Sequence, residues 1–357
     1  MRKMMISKTN RMKSIIAFTL LIMFLFVGGC TDSPTKPVIP EPGVISMVLT
    51  ANEMRLRVYG KGEMFLYIEQ DGYITPYKSL LTELELMYPA PLIFHYLSNN
   101  MESHITIKGH ITHFQCRNNG LTALDVSGMP SLISLDTLFN PLFSLDVSNN
   151  KLLEELYLSF NFLSSLDISK NTALKHLWCD SNYFTSLDIS YNKLLTDLHS
   201  YGNRLTSLDV TQNKLLAYLS CGGNQLKDLD LNNNTELISL TAHENQFEHL
   251  DLQFNTKLEL LNVYGNNINR LDLSNNPSIS QVTITDNQLN AETLNGLFQS
   301  LPDVNNLFIY NTYYIFTKGN PGDDECNKSI AEDKGWTFWT DDMRLSEHGI
   351  ETVKEKK

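Results

Sequence analysis

Three sets of side chains in this 357-residue chain have types and spacings that could do chemistry. The first mixes rings, imidazoles and acids: Tyr157, Trp178 and His199; Glu155, His176, Asp197 and Tyr218; Asp180, Tyr201, His243 and Tyr264. Within each row the members stand 21 residues apart, or a multiple of 21. If the chain repeats its conformation at that interval, each row lies along one wall. Rings give flat contact area, and carboxylates and imidazoles orient a polar partner, so this set suits ligand binding. The second set is a row of eight aspartates from Asp125 to Asp272, also at intervals of 21 and mostly followed two residues on by Ser or Thr. Carboxylate rows suit calcium, and a solvated, hydroxyl-braced edge is the alternative. Repulsion along such a row is expected to raise its pKa values. The third set is Cys116, Cys179 and Cys221, separated by 63 and 42 residues.

The motifs of common enzyme classes do not occur. There is no GxSxG, no phosphate loop, and His243-Glu244 is followed by Phe247, which breaks HExxH. His176, Asp180, His199 and His243 lack a ligand spacing, so no metal site, no cofactor and no catalytic residue is assigned. With 28 Lys+Arg against 40 Asp+Glu the formal net charge is −12, which repels nucleic acid phosphates and anionic lipid heads.

What must position these rows is the repeat itself. The word Leu-Asp-(Val/Ile/Leu) starts at Leu124, Leu145, Leu166, Leu187, Leu208, Leu229, Leu250 and Leu271. An asparagine keeps the same beat at Asn119, Asn140, Asn161, Asn182, Asn203, Asn224, Asn245, Asn266 and Asn287. A second asparagine row runs from Asn150 to Asn276. A period of 20–29 with this consensus predicts a leucine-rich repeat solenoid. In one coil Leu132, Leu135, Leu142, Leu145 and Val147 point inward, and Thr137 holds a sixth place that other coils fill with Leu158, Cys179, Ser200, Cys221, Ala242, Val263 and Ile284. The third, fifth and seventh places of the strand alternate away from the core, which puts the first set, together with Gln115 and Asp136, on the concave face. Cysteines two and three coils apart are too distant for a disulfide, so all three are read as free, as is Cys326.

The ends differ from the middle. Arg2, Lys3, Lys8, Arg11 and Lys13 precede an apolar run over 15–27 and then Gly28-Gly29-Cys30. That run is too short to span a membrane and fits a secretory signal. Val27, Gly28, Gly29 and Cys30 resemble the lipobox of bacterial lipoproteins, which implies a lipid on Cys30 after cleavage of 1–29, and an outer-membrane or cell-surface address. Pro34, Pro37, Pro40 and Pro42 make 30–43 a spacer. Strand-like runs over 45–50, 54–59, 63–68, 93–97 and 103–108, with a weak helix pattern over 79–86, suggest a small β-sandwich over 44–110, similar to immunoglobulin-like or PKD-like caps. After the repeats of 111–290, a helix over 291–301, strands over 307–310 and 335–339 and a short helix over 324–334 would close the stack as a cap over 291–341. The tail 342–357 is charged and read as disordered. The fold class is α/β leaning to β: about nine 21-residue coils with a β cap before them and an α/β cap after.

The repeat text LxxLxCxxNxLTSLDVSxN and the closing GNPGDDECNKSIAEDKGW resemble the leucine-rich repeat surface lipoproteins of Gram-negative, often gut-dwelling, bacteria. More distantly the chain is similar to internalin-type repeats. The resemblance implies a non-enzymatic surface protein that binds a protein partner or acts in adhesion, touching the membrane through its lipid anchor only. A glycan ligand stacked on Tyr157, Trp178 and Tyr201 is the alternative, and a structural or assembly role the third.

Overall fold

The computed structural model describes the backbone of residues 43–49, 53–70, 73–81, 92–95, 103–305, 313–338, 345–346 and 349–350, and side chains within 110–305 and 313–338. The signal segment, Cys30, the spacer up to Pro42 and the strand expected over 307–310 lie outside the described residues.

The solenoid is built on a ladder of very short parallel strands. β5 (Ser103–Gln115) is followed by β6 (Leu121–Asp125), then β7 (Ser134–Asp136), β8 (Glu155–Tyr157), β9 (His176–Trp178) and β10 (Asp197–His199). The series continues through β11 (Tyr218–Ser220), β12 (Ser239–Thr241), β13 (Leu260–Asn262) and β14 (Gln281–Thr283). From β5 to β14, leaving out β6, each strand pairs with the next in parallel and in a constant register, as in Leu177 beside Leu198 and Leu198 beside Leu219. The register equals the sequence beat because every coil has the same length, so equivalent residues become lateral neighbours about 5 Å apart.

Leucines hold the coils together. Leu195, Leu198, Leu205, Leu208 and Val210 of one coil are all buried, and the same positions are apolar and buried from Ile111 onward except Leu145 and Leu166, which are partly buried. A single coil would leave its inward residues half in water. Stacking covers both sides, and each buried leucine contributes roughly 1.5–3 kcal/mol. Thr137, Leu158, Cys179, Ser200, Cys221, Ala242, Val263 and Ile284 are buried at the sixth place, as expected. Cys116, Cys179 and Cys221 are free thiols in that core, and Cys326 is free and partly exposed.

Both asparagine rows are structural. Asn203 donates to the carbonyls of Cys179 at 3.0 Å and Ser200 at 3.1 Å and accepts the N–H of Phe184 at 3.1 Å. It thereby ties its own coil to the preceding one, and the pattern repeats up the ladder. In the second row Asn192 donates to Ile168 and Asn171. Here the side-chain oxygens from Asn150 to Asn276 are buried and accept no hydrogen bond among the described residues.

At the N-terminal side the ladder passes into antiparallel pairing. β1 (Gly43–Leu49), β2 (Glu53–Gln70), β3 (Tyr73–Leu81) and β4 (Leu92–His95) precede β5. β1 pairs with both β5 and β6, and β2 pairs with β3, β4 and β5. β5 is therefore shared: its first part is antiparallel to β1, β2 runs antiparallel to it as far as Gln115, and His113–Gln115 also form the first parallel rung beside β7. The runs 54–59 and 63–68 form one strand, β2, whose register against β5 shifts around Gly60 and Lys61. Ser79, Leu80 and Leu81 end β3 and do not begin a helix. Their pairing with Met64, Glu63 and Gly62 outweighs a weak helical pattern.

At the other end the beat lengthens. α1 (Ala291–Ser300), capped by Asn290, buries Leu294, Leu297 and Phe298. β15 (Tyr314–Phe316) then joins β14, and β16 (Thr337–Phe338) joins β15 after α2 (Ser329–Glu332). Trp336 is buried and donates its indole N–H to Pro302 at 3.0 Å. Asn320 continues the asparagine ladder, accepting the N–H of Leu289 and donating to Ile284, although it stands 33 residues after Asn287. β17 (Leu345–Ser346) and β18 (Gly349–Ile350) pair as a small hairpin in the tail read from sequence as unstructured.

Candidate functional site

The parallel sheet turns every second side chain of its strands away from the leucine core. Glu155, His176 and Asp197 of the third row, Tyr157, Trp178 and His199 of the fifth, and Asp180, Tyr201, His243 and Tyr264 of the seventh are all partly exposed on that face. Tyr218 is exposed.

The rings form two groups. Tyr157 meets Trp178 edge-on with centroids 5.0 Å apart, and Trp178 lies 4.9 Å from the His199 ring. Further along, Tyr201 lies 5.2 Å from His243, which stacks on Tyr264 at 4.7 Å and 12°. The indole nitrogen of Trp178 is shielded from solvent and has no hydrogen-bond partner among the described residues. Burial pushes the Tyr157 hydroxyl up to about 12, with the charges of Glu155, Asp136 and Asp197 adding to it. Tyr264 is raised by burial and by its hydrogen bond to Glu244.

The polar members are organised by pairs across coils. His176 Nδ1 sits 3.2 Å from Asp197, and Asp180 accepts from Ser159 at 3.0 Å and from the Tyr201 N–H at 2.8 Å. His176, Asp180, His199 and His243 thus belong to separate contacts. Among the described residues no group of three or more His, Cys, Asp or Glu could hold a metal ion.

Asp136, expected on the open face, is fully buried. Its carboxylate pairs with Arg117 from the coil before and accepts the N–H of Leu138. A carboxylate can leave water only with such partners. The row from Asp125 to Asp272 is exposed, as expected, but five of its members shift in the direction opposite to expectation. Asp146, Asp167, Asp188, Asp209 and Asp272 are held below the usual carboxylate range. Each accepts the backbone N–H two residues on at 2.8–3.0 Å, and the hydroxyl there adds a second bond. In water, two local hydrogen bonds to the charged form outweigh screened repulsion between coils.

Two features escaped the sequence reading. Gly222 is buried in the seventh row, and a Cβ there would lie 2.7 Å from the His243 ring. An edge of exposed rings, Phe139, Phe143, Phe160, Phe162 and Tyr183, runs past the C-terminal ends of β7 to β9. The available signal was a bulky residue just before Asn140 and Asn161, at a turn position that Gly202, Gly223 and Gly265 fill in other coils.

No protein-family model matches the chain, and no curated protein does. Among solved structures, the functional domain of InlJ from Listeria monocytogenes, which includes a cysteine ladder, is 31% identical over 64% of this chain, with a TM-score of 0.56. The match spans 49% of that protein, so the chain covers about half its length. The leucine-rich repeat protein LIC12759 from Leptospira interrogans is 21% identical over 64% of this chain and 72% of its own, with a TM-score of 0.47. The internalin InlF from Listeria monocytogenes is 17% identical over 58% and 74%, with a TM-score of 0.39. Coils of 21 residues, short parallel strands and a laddered asparagine, together with the likeness to InlJ, identify the fold as a leucine-rich repeat solenoid.

Proposed function

We infer that this protein is a binding module whose partner is a polypeptide lying on the open face of the parallel sheet. The observation that carries the reading is the double group of part-exposed rings, Tyr157–Trp178–His199 and Tyr201–His243–Tyr264, on a face whose core positions are already supplied by leucines. Rings held side by side by their neighbours lose little freedom on binding, and buried aromatic anchors dominate protein interfaces. Trp178 has a ring on each side, so it offers an edge more than the open platform that a sugar stacks on. Export by a cleaved signal and anchoring through a lipid on Cys30, with adhesion as the cellular role, complete the proposal. The features behind that part are the basic opening, the short apolar run and Gly28-Gly29-Cys30.

The test uses peptides selected from a displayed library on the purified protein, beside a glycan array. Tyr157→Ala with Trp178→Ala should weaken a selected peptide by about 2 kcal/mol or more, roughly 30-fold. Phe254→Ser, at an exposed corner away from the sheet, should leave it unchanged. Glycan binding that disappears in the double variant, with no peptide dependence, would replace the polypeptide by a sugar. Indifference of both assays removes the face as a binding site.

A further inference from the structure

We propose that the edge formed by Phe139, Phe143, Phe160, Phe162 and Tyr183 is a self-association surface, occupied by the same edge of a second copy of this chain. The surface is distinct from the open face of the sheet and does not depend on the reading above.

The rings are exposed and ordered by one another. Phe139, Phe143, Phe160, Phe162 and Tyr183 keep between 40% and 66% of their surface in water. Phe139 stacks on Phe160 at 4.4 Å and 12°, Phe162 on Tyr183 at 5.9 Å and 9°, and Phe143 lies 5.2 Å from Phe162. Because the rings use their faces on each other, apolar edges point outward. Phe139 and Phe160 also sit at φ 58° and 60°, a region in which a bulky side chain is strained. Contacts within one chain leave these two rings about half in water, so they do not account for the choice of phenylalanine there.

Charge selects the occupant. The edge segments 139–144, 160–165, 181–186 and 202–207 contain one charged residue, Arg204, whose guanidinium lies over the Tyr183 ring at 4.6 Å. Farther along the same edge stand Lys227, Asp228, Glu244, Glu248, His249 and Arg270, and no exposed Phe or Tyr. A chain of net charge −12 repels its own kind over most of its surface. This edge is where two copies can meet without like charges facing one another.

Spacing points the same way. The rings span three successive coils, and Phe139 with Phe160 and Phe162 with Tyr183 stand one coil apart, so their ridge has the strand repeat of about 5 Å. A ridge interlocks with a partner of equal pitch, and a second copy has that pitch by construction. A two-fold axis makes the contact self-complementary. The exposed hydroxyls of Ser164, Ser165, Thr185 and Ser186 border the rings and supply a polar rim. Half-exposed rings offer roughly 500 Å² per copy, below the ~800 Å² of a stable interface, so the association is weak and depends on concentration.

Sedimentation velocity of the purified full chain from about 1 µM to about 1 mM tests this. The expected result is a monomer–dimer equilibrium that tightens several-fold with added salt, since salt screens the repulsion. Phe143→Ser with Phe162→Ser should weaken it at least tenfold with circular dichroism and Tm unchanged, and Trp178→Ala should leave it as it is. A single Ser165→Cys should form an inter-chain disulfide on oxidation that Phe254→Cys does not. A monomer throughout, a dimer indifferent to the double substitution, a dimer dispersed by salt, or no disulfide at Ser165→Cys would each overturn the proposal.

Discussion

The imidazole of His243 packs on the ring of Tyr201, 42 residues and two coils away, with centroids 5.2 Å apart. It reaches that far because Gly222, in the coil between them, has no side chain: a Cβ there would stand 2.7 Å from the ring. Gly222→Ala should displace His243 from Tyr201 at a stability cost of about 1 kcal/mol, since a flexible side chain and not backbone has to move. His243 and Tyr201 ring resonances in NMR spectra report the change. Unchanged shifts would show that the space at Gly222 is not what brings the two rings together.

Trp178 should tolerate Phe well. Its indole N–H is shielded and unpartnered among the described residues, and a buried donor without an acceptor costs about 1–3 kcal/mol. Trp178→Phe keeps a ring between Tyr157 and His199 and removes that donor. Urea unfolding should show stability equal to or above that of the parent. A loss of more than about 1 kcal/mol would mean that the indole makes a contact of greater worth.

The asparagine ladder should discriminate between donor and acceptor loss. Asn203→Leu strands the N–H of Phe184 and takes one of the donors from the Cys179 and Ser200 carbonyls, which keep those from Asn182 and Asn224, and should cost about 1–3 kcal/mol. Asn203→Asp keeps the acceptor and puts a buried charge against two carbonyls, so it should cost more at pH 7 than at pH 4. Chemical unfolding at both pH values separates the two terms.

Acid should weaken the fold through the aspartate row. The carboxyls of Asp146, Asp167, Asp188, Asp209 and Asp272 are lowered by hydrogen bonds that exist only in the folded chain. Their stabilisation is complete above the unfolded aspartate value of about 3.9 and is lost as pH falls through the lower folded values. The urea midpoint should drop between about pH 4 and pH 2. Asp188→Asn with Asp209→Asn should flatten that slope, and an unaltered slope would assign acid sensitivity elsewhere.

Thiol chemistry should report the core. Burial raises the Cys221 thiol to about 12 and pushes Cys116 and Cys179 up as well. Little thiolate exists at pH 8, and none of the three is reachable. A thiol reagent on the native protein should leave these three unmodified and label them all in guanidinium. Rapid native labelling of Cys179 would show that the coils open locally.

The stack of coils was legible because every element of it is local and periodic. A leucine, an asparagine or an aspartate at a fixed place in 21 residues needs no knowledge of distant sequence to be assigned a direction. The aspartate, histidine and aromatic rows were therefore placed on the correct sides, and Cys116, Cys179 and Cys221 on the inside. Asn320 was missed because its partners are set by the path of the chain through α1 and β15, where the beat no longer holds.

By itself, then, the sequence determined the solenoid, its leucine core and the identity of the open face, since repetition converts spacing directly into neighbourhood. Only the tertiary structure decided which neighbours touch. Arg117 takes Asp136 out of the open face, Gly222 lets His243 reach Tyr201, and turn N–H groups lower aspartates that charge counting would raise. Those outcomes depend on side-chain directions and local hydrogen bonds, which a period of 21 residues does not encode.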